Sequence, residues 1–155
     1  MPTFDFVYWS QERQGFLVPE GPLVPVEVSV PSALEEWCVK NNSPVPQPKT
    51  GYGLIDTGAS ISGIFEPILK ELNIVPIDSI ILSTPGGNRN ASVYPARVSF
   101  PALKVTGYSM SRVVGNDANW KTTDGKDVIM LLGRDLLAQF VMIYNGRFNM
   151  VTLAY

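Results

Sequence analysis

The chain has 155 residues and a formal net charge of −2, enough for one domain with a real core and too short for two. It has no His and one Cys, Cys38. That excludes a Ser-His-Asp triad, a Cys-His pair, an imidazole zinc site, an intrachain disulfide and a thiolate cluster, and it leaves any cofactor-free chemistry to carboxylates, hydroxyls, Lys or Tyr.

The 12 Lys and Arg are scattered singly, without the basic stripe that a nucleic-acid partner requires. No apolar run approaches a membrane span. The opening Met-Pro-Thr-Phe-Asp-Phe lacks the basic and apolar regions of a signal peptide. Together with the lone thiol this predicts a reducing, cytoplasmic location.

Eight of the 13 Pro precede residue 51 and 11 of the 13 Gly follow residue 50, so an extended first third leads into a turn-rich remainder. Phe4–Trp9 is aromatic enough for a strand. In residues 22–30, Val24, Val26, Val28 and Val30 alternate with Glu27 and Ser29, which predicts a half-buried strand, with Pro25 pushing it toward an edge. Ser32 and Glu35 have capping-box spacing for a helix to about Val39. Residues 41–50 read as a Pro-rich loop. Gly53–Ile55 is a short apolar strand running into Asp56. Pro67 suits the first turn of a helix ending near Leu72.

Ser79–Thr84 and Ala91–Phe100 read as strands joined by Pro-Gly-Gly-Asn-Arg-Asn, followed by short strands at 103–106 and 109–114 and a polar loop over 116–126. Val128–Leu132 is a wholly apolar strand stopping at Gly133, and Arg134–Phe140 suits a helix. The Asn145-Gly146 pair predicts a type I′ hairpin between 141–144 and 147–153. Cys38 reads as a small core residue, and Trp9, Trp37 and Trp120 as plugs of a core or interface. Many short strands with few brief helices predict an all-β barrel or sandwich.

Asp56-Thr57-Gly58-Ala59-Ser60 places an acid at the end of an apolar strand. Alone, it reads equally well as a strand-terminating turn. The later Leu132-Gly133-Arg134-Asp135 repeats the architecture: an apolar strand, a Gly, then a short helix. At this point the chain resembles the retropepsin-like aspartic proteases, the family of the retroviral proteases and their cellular relatives. That family pairs an apolar-Asp-Thr-Gly-Ala segment with a later Gly-Arg-Asp/Asn-Leu-Leu segment across a flap hairpin, and here Thr84-Pro85-Gly86-Gly87 lies at the flap's place.

The resemblance spans about residues 22–153. It implies a closed acid-protease barrel with one or two short helices (residues 22–155, with a 31–50 insertion loop, after an N-terminal arm over 1–21). It also implies an aspartic endopeptidase acting on polypeptides without metal or cofactor. Two close carboxylates share one proton, so one can activate water while the other polarises the carbonyl. Only Asp56 of the seven Asp begins such a motif, so the dyad requires a homodimer. A catalytically inactive dimer of this fold, serving as a peptide-binding module, is the alternative.

In the family, Thr57's place locks the two active-site loops together, and the Arg at Arg134's place pairs with an acid where this chain has Ser60. That departure predicts a pair lost or re-routed, for example through Asp135. The 31–50 segment, or the first 20 residues, is expected to cover the groove or the dimer interface. Ile61, Ile64, Leu82, Val114 and Ile129 are candidates for the substrate pockets. The last strand is expected either at the dimer interface or in the barrel.

Overall fold

A computed structural model of the chain describes residues 7–11, 15–84, 86–117 and 119–155. In chain order its elements are β1 (Tyr8–Ser10), α1 (Leu17–Glu20), β2 (Leu23–Ser29), α2 (Ser32–Lys40), β3 (Lys49–Ile55), β4 (Gly63–Phe65), α3 (Glu66–Glu71), β5 (Asp78–Thr84), β6 (Gly87–Phe100), β7 (Val105–Asn116), β8 (Trp120–Lys121), β9 (Asp127–Leu132), α4 (Arg134–Leu137), β10 (Val141–Asn145) and β11 (Met150–Ala154). The fold is all-β with few, short helices.

Six strands close on themselves in the order β2, β3, β9, β4, β7, β6. The ring is completed where Glu27, Val28 and Ser29 of β2 pair with Ser99, Val98 and Arg97 of β6. The alternation read in residues 22–30 holds: Val24, Val26, Val28 and Val30 are all buried. Inward residues of this kind fill a small barrel from every strand. Pro25 does not put β2 on an open edge. It stands opposite Tyr52 of β3, at a point where β2 is paired on one side only, because pairing with β6 begins at Glu27.

Several local expectations change. Ser32 and Glu35 form no capping box: Pro31 occupies the cap position without a side-chain bond, and Glu35 instead pairs with Arg97, whose Nε donates to the Val30 carbonyl at 2.7 Å. The two short strands expected at 103–106 and 109–114 are one strand, β7, after a helical turn at Pro101–Leu103. A register shift against β6 absorbs Thr106 and Gly107 as a bulge, with Gly107 N–H on Ser99 Oγ at 2.9 Å. The polar loop of 116–126 contains β8, which pairs with β9. Asn145-Gly146 makes no type I′ turn. Asn145 instead caps a 3-10 turn that Gly146 opens (Gly146–Phe148): Asn145 Oδ1 accepts from Phe148 N–H at 3.3 Å, and Asn149 takes the left-handed conformation. Of the expected Phe4–Trp9 strand, residues 4–6 lie outside the described residues. Trp37 is no plug, since it is more than half exposed, whereas Cys38 is buried.

A second sheet, β1-β11-β10, lies outside the barrel ring. The last strand is therefore not a barrel strand, but the centre of a small sheet, flanked by β1 and β10 of its own chain. Its Val151 and Leu153, with Leu17 of α1, belong to the same apolar cluster as the barrel residues. Through Leu17, with Trp9 packed against the cluster, the segment before β2 contributes to the core that the barrel shares.

On the barrel wall, Tyr94 is 1 % exposed and donates to Glu66 Oε1 at 2.6 Å. Burial, reinforced by the Glu66 carboxylate, pushes its hydroxyl up to about 12. The Tyr94 hydrogen bond, with help from Lys70, holds Glu66 below its ordinary range. No helix among the described residues is long and apolar enough to cross a membrane.

Candidate active site

The topology brings the two sequence motifs together. β3 and β9 run parallel and adjacent, with Gly53 opposite Met130, Leu54 opposite Leu131 and Ile55 opposite Leu132. Each strand ends at its motif, so Asp56 and Gly133 leave the sheet side by side. The Asp56 N–H donates to the Leu132 carbonyl at 3.0 Å, and the Arg134 N–H donates to the Ala59 carbonyl at 2.9 Å.

Asp56 is half-buried at the start of the turn. Its Oδ1 accepts from Gly58 N–H at 2.9 Å and from Ala59 N–H at 3.2 Å. The missing side chain of Gly58 matters here, because a Cβ would lie 3.1 Å from that same oxygen. The turn therefore fixes the carboxylate by its main chain and leaves Oδ2 outside those bonds.

Behind the turn lies a network that the sequence did not disclose. Ser62, 0 % exposed, donates from Oγ to Asp135 Oδ1 at 2.7 Å and from its N–H to Asp135 Oδ2 at 3.0 Å. The same Oγ accepts from Gly133 N–H at 2.9 Å, and Asp135 Oδ1 also accepts from Leu136 N–H. Gly133 is required by close approach: a Cβ would lie 2.7–2.9 Å from the backbone of Ile61 and Ser62. Sequence reasoning passed over Ser62 because a lone Ser two residues past Ser60 carries no pattern.

Arg134 is neither idle nor re-routed through Asp135. Its Nη1 donates to the Thr57 carbonyl at 2.8 Å and the Gly58 carbonyl at 3.0 Å. With Ser at position 60 no carboxylate is presented, and the guanidinium satisfies main-chain oxygens instead. Thr57 and Ser60 are both exposed.

In front of Asp56 is a cleft of about 540 Å³. Asp56, Gly58, Ala59 and Ser60 form its floor, and Leu82, Ser83 and Thr84 of β5 form its roof. The roof is the β5–β6 hairpin, which extends beyond the ring because residues 87–92 of β6 pair only with β5. Its turn is tighter than the sequence suggested: β6 already begins at Gly87, which has φ +107. Asn88, Arg89 and Asn90 are therefore strand residues. Thr84 Oγ1 donates to the Gly87 carbonyl at 2.8 Å. Gly86 and Gly87 are exposed at the tip, and Pro85 lies outside the described residues.

Of the five pocket candidates, Ile61, Leu82 and Val114 line the cleft, whereas Ile64 and Ile129 are core residues. Leu131, Arg89 and Asn116 line it as well. In an unbroken apolar run such as 128–132, periodicity cannot tell the cleft-facing Leu131 from its core-facing neighbours. None of the cleft's lining residues comes from 31–50. α2 is tied to β6 by the Arg97–Glu35 pair, and Lys49 to α3 by Glu71 at 2.6 Å. Among the described residues no cluster of three or more Cys, Asp or Glu could hold a metal ion.

Barrel, paired motif turns and roofing hairpin together define a single-lobe β-barrel with a carboxylate at the base of a cleft. Among solved structures, the chain is similar to a retropepsin-like aspartic protease from Rickettsia conorii, at 15% identity and a TM-score of 0.45, over 100% of this chain and 98% of that one. It is also similar to the Simian Foamy Virus (mac) protease, at 15% identity and a TM-score of 0.41, over 74% of this chain and 91% of that one. No family model matches the chain and no curated protein matches it.

Proposed function

We propose that the protein is an aspartic endopeptidase that hydrolyses peptide bonds through a dyad formed by Asp56 and its copy in a homodimer. The observation that carries this reading is the Asp56 carboxylate, held by Gly58 and Ala59 N–H at the base of a cleft roofed by a hairpin.

The chemistry follows from what one chain lacks. A single carboxylate cannot be base and acid in the same step, and two in contact share one proton. The ionised member takes a proton from water as the water attacks the scissile carbonyl. The protonated member hydrogen-bonds the carbonyl oxygen as charge develops there, and its proton goes on to the leaving amine. The cleft's mixed apolar walls suit an extended polypeptide, which the hairpin can bind through main-chain hydrogen bonds.

Two surface features support the second copy. Thr57 is exposed beside Asp56, where it can meet its symmetry mate. The edge strand β10 exposes Val141 at 57 % and Ile143 at 58 %, and an apolar edge of this kind favours burial against another chain.

The test is cleavage of an unfolded protein at mildly acid pH by wild type and Asp56→Asn, with molecular mass measured by sedimentation. The variant is expected to lose about 10²- to 10⁴-fold of the activity while keeping its fold and a dimeric mass. Cleavage by a strict monomer would contradict the shared dyad. Equal behaviour of the two proteins would favour a peptide-binding module.

A further inference from the structure

Arg89 is a feature of the cleft that the hydrolytic chemistry does not use. It stands opposite Leu82 in the β5–β6 register, so the two side chains share one face of the hairpin. Both line the cleft, and Arg89 is the one cation among its described lining residues. Ile61, Val114, Leu131 and Asp56 line the same cleft.

The guanidinium is only partly engaged. Nη1 donates to Asp117 Oδ2 at 2.8 Å. Nε and Nη2 have no acceptor among the described residues, although a guanidinium carries five N–H donors in a planar fork. Asp117 follows directly on the last residue of β7, and its side chain is 82 % exposed. An ion pair as exposed as this contributes little to stability. A carboxylate entering the cleft can therefore replace or join Asp117 at small cost, and a bidentate carboxylate fits the fork better than a single oxygen does.

We propose that Arg89 is a specificity-determining residue, which selects an acidic side chain, Glu or Asp, in the bound polypeptide. That side chain lies next to an apolar one seated among Ile61, Leu82, Val114 and Leu131. Asp117 occupies the guanidinium when no substrate does. The inference rests on the reading that this cleft holds an extended polypeptide, and it deepens that reading by naming a substrate class.

The test separates recognition from chemistry. A random decapeptide library with acetylated and amidated ends is passed over immobilised Asp56→Asn protein, which holds peptides without cutting them, and retained peptides are sequenced. Glu and Asp are expected to be enriched about fivefold at one position, the size expected of one charge-assisted contact at a partly exposed site. Arg89→Gln in the same background should remove that enrichment. Arg89→Glu should replace it with enrichment of Lys and Arg, an outcome a misfolded protein cannot give. Asp117→Asn should raise the acidic enrichment by removing the internal competitor.

Retained peptides without acidic enrichment, or an enrichment that survives Arg89→Gln, would overturn the proposal. So would an equal fall in retention of all peptides in both Arg89→Gln and Asp117→Asn, which would make the pair a latch on the hairpin. Charge-selective retention with no cleavage by the Asp56-containing protein would uphold the Arg89 site and overturn the hydrolytic reading. Cleavage without selective retention would do the reverse.

Discussion

The floor and the roof of the cleft are held by different kinds of interaction. The floor is fastened by hydrogen bonds between residues more than 70 positions apart, several buried or half-buried: Ser62 with Asp135 and Gly133, Arg134 with Thr57 and Gly58, and Asp56 with Leu132. The roof is fastened locally, by its own ladder and by bonds such as Thr84 to Gly87. Beyond the β6–β7 ladder that begins at Val93, it is tied by exposed ion pairs, Arg89 with Asp117 just after β7 and Asp78 with Arg112 of β7. Buried bonds cannot be exchanged for water without leaving a polar group unsatisfied, whereas exposed ones can. Local opening is accordingly expected to cost more free energy in the floor than in the roof.

Substitutions should respect that division. The largest effect is expected of Gly133→Ala. Its Cβ would meet main-chain atoms of Ile61 and Ser62 that have nowhere to move, costing about 3 kcal/mol in urea denaturation. Ser62→Ala should cost about 2 kcal/mol, because it strands Gly133 N–H and removes one bond from Asp135. A loss under 0.5 kcal/mol in either would mean that the floor is no stiffer than the roof.

Tyr94 and Glu66 test the barrel wall by pH. The Tyr94 hydroxyl is raised to about 12 in the folded chain. The stability it contributes is therefore complete below its unfolded value near 10 and is lost as pH rises from about 10 to 12. Tyr94→Phe should flatten that alkaline limb by about 2 kcal/mol, read from melting temperatures across pH. Glu66, held low, contributes in the opposite sense: its share is present above the ordinary carboxylate range and fades as pH falls below it. Asp78, at the base of the hairpin, is also held low, by the Ser79 N–H first and then by Arg112.

The smallest effect is expected in the roof. Thr84→Val removes one exposed bond to Gly87 and should change stability by less than about 0.5 kcal/mol. Amide exchange in the β5–β6 ladder should nevertheless quicken while the floor amides of Ala59 and Gly133 stay protected. Equal quickening in both would erase the distinction between them.

How far the sequence could be read varies along the chain in the same way. Val24 to Val30 disclosed an inward face because alternation survives wherever one side of a strand meets solvent. The run Val128–Leu132 disclosed a strand but not its faces, so Ile129 was expected at the cleft while Leu131 lines it. Pro and Asn-Gly misled where tertiary pairing overrode local preference: at Pro25 the barrel closes beyond it, and at Asn145 the side chain caps a 3-10 turn. Asp56 and Gly133 were legible because each carries its own local geometry, a main-chain cradle and a close approach.

By itself, then, the order of residues determined the class of chemistry open to this chain. With no His and one Cys, imidazole, thiolate-cluster and disulfide chemistry are excluded, and carboxylates, hydroxyls, Lys or Tyr are what remain. Only the tertiary structure decided what surrounds Asp56, because parallel pairing of β3 with β9 joins segments distant in the chain. That pairing puts Ser62 under Asp135 and turns Arg134 onto main-chain carbonyls. The β5–β6 register then places Arg89 over the cleft. Such partners are chosen by distance in space, which short-range pattern does not encode.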